Sequence, residues 1–291
     1  GERAVEMIAA IQKAKRVAFQ GEAGAYANLA AREAVEHAAA IPKPSFEDAI
    51  EAVKSGDCDL CIIPVENSLM GRIADIHHLL PESGLHIVGE HFLPIRHQLL
   101  GLKGAKLADI KSLYSQAPAL AQCRNLIREL KPIIHNWFDT AGSAKHVAEL
   151  GDKSAAAIAS TLAGELYGLR VLKPDVEDEH HNMTRFLIMS KKREDAPAGG
   201  KVVTTFVFRV KNVPAALYKA LGGFATNGVN MTKLESYQLG GSFNATQFYA
   251  DIQGHPEDAP VKRALDELAF YTNRLTILGA YPAHPFREDM P

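Results

Sequence analysis

The 291 residues hold 32 Lys and Arg against 34 Asp and Glu, a net charge of −2, so no charge excess calls for nucleic acid or an anionic membrane as partner. Hydrophobic residues at 47% and charged residues at 23% describe an ordinary globular chain, long enough for two domains or one large one. No apolar run reaches the ~18 residues of a membrane span. Gly1 to Arg16 reads as a helical pattern on Val5, Ile8 and Ile11, without the unbroken apolar stretch of a signal peptide, which makes a cytoplasmic location the expectation.

Along the first two thirds, short apolar runs alternate with helical patterns, the signature of a largely parallel α/β sheet. Arg16 to Gln20 reads as a strand, Gly21 to Gly24 as a tight loop and Ala25 to Val35 as a helix. Ser45 and Asp48 form a capping box ahead of the helix Phe46 to Lys54, and the strand Leu60 to Val65 follows. Cys58 and Cys61 are formally a C-x-x-C, but zinc wants a second pair. The chain has three cysteines, the third being Cys123, and the pair is expected to be structural.

A second α/β unit is expected from Ile95 to Tyr167, with a helix from Pro118 to Leu130 and another from Gly142 to Leu150. Val171-Leu172 and Phe186 to Met189 read as strands returning to the first unit, which would leave a cleft between two lobes. Lys191 to Gly200 reads as a solvated linker. The remainder has the order β-α-β-β-α-β, the ferredoxin-like pattern, with a helix Pro214 to Asn227 and a turn at Gly240-Gly241.

Four segments carry candidate chemistry. The glycines of Gly21-Glu22-Ala23-Gly24 bring backbone N–H groups near a helix start, where an anion or merely an ordinary turn fits. Glu66, Asn67 and Ser68 follow an apolar strand, at the edge where sites form or where a helix cap is needed. Ser115 ends a strand and Gln122 lies on the next helix: neutral donors that suit a dianion, or a solvated face. Thr184 beside Arg185 suits a carboxylate, or is a β-favouring Thr beside a surface Arg. Glu177 to His181 lacks the spacing of a metal site and reads as a solvated loop, as does His77-His78. A G-x-S-x-G elbow is missing around Ser143, so a serine hydrolase is not supported.

Taken in order, these segments resemble the prephenate dehydratase family over about Arg16 to Ala283. The matches are G-x-x-G at Gly21 and Gly24, P-x-E-N-S at Pro64 to Ser68, A-L-A-Q-C at Ala119 to Cys123, Asp139-Thr140-Ala141, and N-x-T-R-F at Asn182 to Phe186. The resemblance implies an α/β fold: a two-lobed catalytic domain like a type II periplasmic binding protein at 14–191, then a ferredoxin-like ACT regulatory domain at 201–284. Lobe 1 would take 14–94 and 171–191, lobe 2 95–170.

It further implies decarboxylation and dehydration of prephenate to phenylpyruvate in phenylalanine biosynthesis, without cofactor or metal. Thr184, Asn67 and Gln122 would be catalytic; Glu66, Ser68, Ser115, Arg185, Phe186, Gly21 and Thr140 would bind substrate. L-Phenylalanine would act as effector on Asn212, Pro214, Ala215, Ala216, Leu217, Glu235 and Ser236, in a homodimer or homotetramer. Ala215 stands where the family has a glycine, and Tyr237-Gln238 where it has Arg-Pro. The alternatives are an arogenate dehydratase, with the same chemistry on an aminated substrate, and a non-enzymatic amino-acid sensor. A fused bifunctional enzyme is not expected, because no mutase-like helical domain precedes Arg16.

Overall fold

The structure, a computed structural model, describes residues 15–243 and 245–290. The expected helix at Gly1 to Arg16 lies, but for its last two residues, outside them. The chain divides into two compact units, residues 1–73 with 92–186 and residues 74–91 with 187–291.

The first sheet is built from β1 (Lys15–Gln20), β2 (Ala38–Lys43), β3 (Leu60–Asn67), β4 (Gly71–Arg72), β5 (His86–Pro94) and β11 (Met183–Ser190), in the order β2-β1-β3-β11-β5 with β4 on β3. β1 runs parallel to both of its neighbours. The division between the units falls within β5 and within β11. Val17, Ala18, Phe19, Ile62 and Ile63 are fully buried here. Cys61 is buried with them, and loss of hydration pushes its thiol up to about 12, which makes it inert. Cys58 is also buried, so the pair is structural as expected. Ser45 caps the helix Phe46–Lys54 by accepting from the Asp48 N–H at 3.1 Å.

The second sheet uses β6 (Gln98–Gly101), β7 (Ser112–Ser115), β8 (Ile133–Asn136), β9 (Ala155–Ala159) and β10 (Arg170–Lys173), in the order β10-β6-β9-β7-β8. β9 is four alanines and an isoleucine, all buried, and this slim strand lets the helix Thr140–Leu150 pack closely. The structure corrects two expectations here. β10, which contains Val171-Leu172, pairs with β6 and so belongs to the second sheet; Met183–Ser190 alone returns to the first. The helix expected from Pro118 to Leu130 is broken into Ala117–Ala121 and Arg124–Leu130. The cause is Asp178, whose carboxylate accepts from the Arg124 and Asn125 N–H groups at 2.9 and 3.0 Å and caps a fresh helix start. Its own N–H donates to the Gln122 carbonyl at 2.7 Å.

In the other unit, β12 (Val202–Val210), β13 (Met231–Gln238), β14 (Ala245–Gln253) and β15 (Thr272–Pro282) form an antiparallel sheet in the order β13-β14-β12-β15. With the helices Ala216–Thr226 and Ala259–Phe270 this is the ferredoxin-like β-α-β-β-α-β arrangement. Phe206, Phe208, Phe224 and Phe248 stack beneath the helices as its core. The first helix starts at Ala216, not at Pro214, because Ala215 adopts a left-handed conformation with φ 63°. That conformation costs a non-glycine residue about 1 kcal/mol. His77 also departs from expectation: it lies on the helix Ala74–Glu82, buried edge-on against Tyr249 at 4.9 Å.

Candidate active site

A cleft of about 720 Å³ opens in the first unit, within the range of small-ligand sites. Asn67, Gln122, Thr184, Phe186, Gly21 and Thr140 line it, together with Tyr26, Arg72, His97, Gln116, Phe138 and Asn182. Glu66, Ser68, Ser115 and Arg185 do not line it.

The reason is the two-residue period of a strand. Asn67 ends β3 and Thr184 lies near the start of β11, both on the cleft wall. Glu66 and Arg185, one residue away on each strand, fall on the opposite face. There the Arg185 guanidinium donates to Glu66 at 3.0 Å and is only 3% exposed. Arg185 therefore neutralises Glu66 instead of meeting a ligand in the cleft. The Ser68 hydroxyl donates to the His181 carbonyl at 2.9 Å and accepts from the Met183 N–H at 2.8 Å, stitching the approach of the two strands. The Ser115 hydroxyl, fully buried, donates to the Ile158 carbonyl at 2.8 Å.

The cleft-facing polar groups form one connected network. The Asn67 carboxamide donates to Thr184 Oγ1 at 2.9 Å and to Asn182 Oδ1 at 2.8 Å. Its own oxygen accepts from the Leu69 and Met70 N–H groups at 2.9 and 3.1 Å, which fixes its orientation. Asn182 donates to Gln122 Oε1 at 3.0 Å, and the same oxygen lies 2.8 Å from His97 Nε2. His97 Nδ1 lies 2.6 Å from the Tyr26 hydroxyl. Thr184 thus serves as acceptor within the network, and its hydroxyl is left able to donate to a group in the cleft.

Burial pushes His97 below its ordinary value, while the hydrogen bond to Gln122 and the charge of Glu177 push the other way. Tyr26 is pushed well up by burial, so its hydroxyl keeps its proton. Sequence reading passed over Tyr26, His97 and Arg72. Tyr26 stands one residue beyond the glycine loop, and its position at a helix start is the available signal. His97 opens no motif and precedes a short strand by one residue, so nothing in the sequence pattern marks it.

The glycine loop is fixed by its neighbours. The Ser160 hydroxyl donates to the Gly24 carbonyl, and the Tyr167 hydroxyl to the Ala23 carbonyl, each at 2.6 Å. A Cβ on Gly24 would meet the Ala163 backbone at 2.9 Å, and its φ of 94° already excludes most side chains. Asp139 caps the helix Thr140–Leu150 through the Gly142 N–H, which sets Thr140 at the cleft.

In the second unit, a cavity of about 240 Å³ is lined by Asn212, Ala215, Ala216 and Leu217 with Val210, Tyr218 and Phe248. Pro214, Glu235 and Ser236 are not part of its wall.

A family model described as prephenate dehydratase matches residues 17–194, more than half of the chain. The chain is 52% identical over 275 residues to a bifunctional N-acyl-homoserine lactone acylase/prephenate dehydratase of Komagataeibacter europaeus, covering 94% of this chain and 97% of that one. It is 37% identical to arogenate dehydratase 2 of Petunia hybrida, covering 92% of this chain and 72% of the relative. Among solved structures it is similar to the quorum-quenching acylase GqqA, at 51% identity and a TM-score of 0.89, covering 94% of this chain and 100% of that one. It is also similar to the prephenate dehydratase of Arthrobacter aurescens in complex with L-Phe, at 29% identity and a TM-score of 0.84, covering 95% of this chain and 92% of that one. The chain belongs to the prephenate dehydratase family and is an enzyme of the lyase class.

Proposed function

We propose that this enzyme converts prephenate to phenylpyruvate in phenylalanine biosynthesis. The observation that carries the reading is Thr184 on the cleft wall with its hydroxyl oxygen accepting from Asn67 at 2.9 Å, which leaves that hydroxyl able to donate to a ligand. In the reaction the bond to the ring carboxylate breaks and CO2 leaves. Its electron pair aromatises the ring, and the ring C–O bond breaks with departure of hydroxide, which takes up a proton to become water. Departure of hydroxide is the step that needs help. A hydrogen bond from Thr184 to the departing oxygen, in a site whose dipoles are already fixed, supplies it. Gln122 and Asn67 orient the substrate, Phe186 packs beside its ring, and Gly21 and Thr140 bound the far wall. Glu66, Ser68, Ser115 and Arg185 hold this constellation in place from behind instead of binding substrate.

The reading extends to a catalytic region at 14–191 and an ACT regulatory domain at 201–284, in a cytoplasmic homodimer or homotetramer. L-Phenylalanine is its effector at the cavity beside Asn212 and Ala216. Among the described residues no helix is long and apolar enough to cross a membrane, which agrees with that reading. Formation of phenylpyruvate from prephenate, followed by its ultraviolet absorbance in alkali, tests the activity. Absence of turnover with prephenate but not with arogenate would reassign the substrate. Calorimetry with L-phenylalanine tests the effector, and no heat at millimolar concentration would remove it.

A second reading adds amide hydrolysis of N-acyl-homoserine lactones, supported by the name of the 52% identical relative. The cleft gives it less support than it gives dehydration. A hydroxyl nucleophile wants a base as partner, and the partner of Thr184 is a carboxamide donor. Release of homoserine lactone from an acylated substrate would establish it.

A further inference from the structure

Gln122 has a carboxamide whose orientation decides whether it offers the cleft a donor or an acceptor. Its Oε1 lies 3.0 Å from the Asn182 carboxamide nitrogen and 2.8 Å from His97 Nε2. Turned over, the carboxamide would set its own NH2 against the donor of Asn182. The observed orientation needs a proton on His97 Nε2, so that two donors converge on one oxygen. His97 Nδ1 is then an acceptor; the Tyr26 hydroxyl lies 2.6 Å from it and 3.1 Å from the Arg96 carbonyl, and donates its one proton to the nearer Nδ1. His97 is buried, and its ring stands edge-on to Tyr26 at 5.5 Å. Glu177 Oε2 accepts from the His97 N–H at 2.9 Å, and Arg96 lies 3.6 Å from the same carboxylate. With Oε1 turned inward, Gln122 Nε2 faces outward, 3.6 Å from Met70 Sδ on the cleft wall.

We propose that His97, its tautomer set by Tyr26, is a positioning residue that holds the Gln122 carboxamide with its NH2 turned into the cleft. There the NH2 donates to an oxygen of the bound anion. The proposal rests on the reading of this cleft as the dehydration site, but the tautomer itself can be tested without turnover. The network transmits orientation and not protons, since its middle members are carboxamides that neither gain nor lose one at neutral pH.

Three substitutions separate positioning from mere filling of space. His97→Gln keeps an N–H at the place of Nε2 and is expected to stay within about threefold of the parent kcat. His97→Met fills the volume without a donor and is expected to lower kcat about tenfold or more at similar KM. His97→Glu presents an acceptor that draws the Gln122 NH2 inward and is expected to be the poorest of the three. Equal losses in the Gln and Met variants, or full activity in the Met variant, would overturn the proposal. Nitrogen-15 spectra of the parent imidazoles give an arm independent of folding defects in variants. A neutral Nε2–H tautomer at pH 7 is expected for His97, and an Nδ1–H tautomer or an imidazolium would overturn it. Failure of the parent enzyme to make phenylpyruvate would instead sink the functional reading and leave the tautomer result standing.

Discussion

The two faces of β3 and β11 carry the same motifs to different ends. On the cleft face, Asn67 and Thr184 share a hydrogen bond of 2.9 Å and remain available to a ligand. On the opposite face, Glu66 and Arg185 are joined at 3.0 Å and take no part in the cleft wall. Residues adjacent in sequence are thus divided by the pleat into a set that faces the cleft and a set that does not. Conspicuous chemistry is a poor guide to which set a residue joins: the guanidinium meets Glu66, and the modest threonine faces the cleft.

The largest effect expected from breaking this division is on the cleft face. Thr184→Val keeps the shape and removes the hydroxyl. It is expected to lower kcat about a hundredfold or more, read in steady-state assays, with thermal unfolding nearly unchanged. On the opposite face the order of effects reverses. Glu66→Gln removes the carboxylate that meets the buried Arg185 at 3.0 Å and is expected to cost about 1–3 kcal/mol in urea unfolding. The specific activity of the protein that remains folded should change by less than about threefold.

The alternation that separates these faces is legible in the sequence, and so were most of the elements around them. Phe46–Lys54 appears as expected because Ser45 and Asp48 form its start locally. Long-range partners were not legible. The break after Ala121 comes from Asp178, more than fifty residues downstream, whose carboxylate caps the second helix segment. Likewise β10 joins β6 through pairing that no local pattern encodes. In the site, Asn67, Gln122, Thr184, Phe186, Gly21 and Thr140 were legible through motif order and do line the cleft. Glu66, Ser68, Ser115 and Arg185 stand off the cleft wall because a motif records which residues travel together, not which way each one points. His97 was missed because its importance comes from Tyr26 and Gln122, distant in sequence and in contact with its two ring nitrogens.

Ser115 sharpens the comparison further. Its hydroxyl is committed to the Ile158 carbonyl, so Ser115→Ala is expected to cost about 1 kcal/mol of stability and leave KM for prephenate unchanged. A KM raised severalfold would return Ser115 to the binding set. The smallest effect expected is a pH dependence of stability from His97. Burial holds the folded imidazole below its unfolded value, so the unfolded chain binds the proton first. Stability is then full above the unfolded value of about 6.5 and declines as pH falls from there toward the lower folded value. His97→Gln should flatten that decline in urea titrations at successive pH values.

The central claim is that the cleft-facing hydroxyl of Thr184, and not the Arg185 beside it, drives loss of the ring oxygen. Phenylpyruvate formation from prephenate by Thr184→Val, by Arg185→Met and by the parent, each corrected for the folded fraction, tests it most directly. The account predicts a loss of about a hundredfold or more in kcat for Thr184→Val and less than about tenfold for Arg185→Met. Near-parental turnover in Thr184→Val, or the larger loss in a folded Arg185→Met, would contradict it.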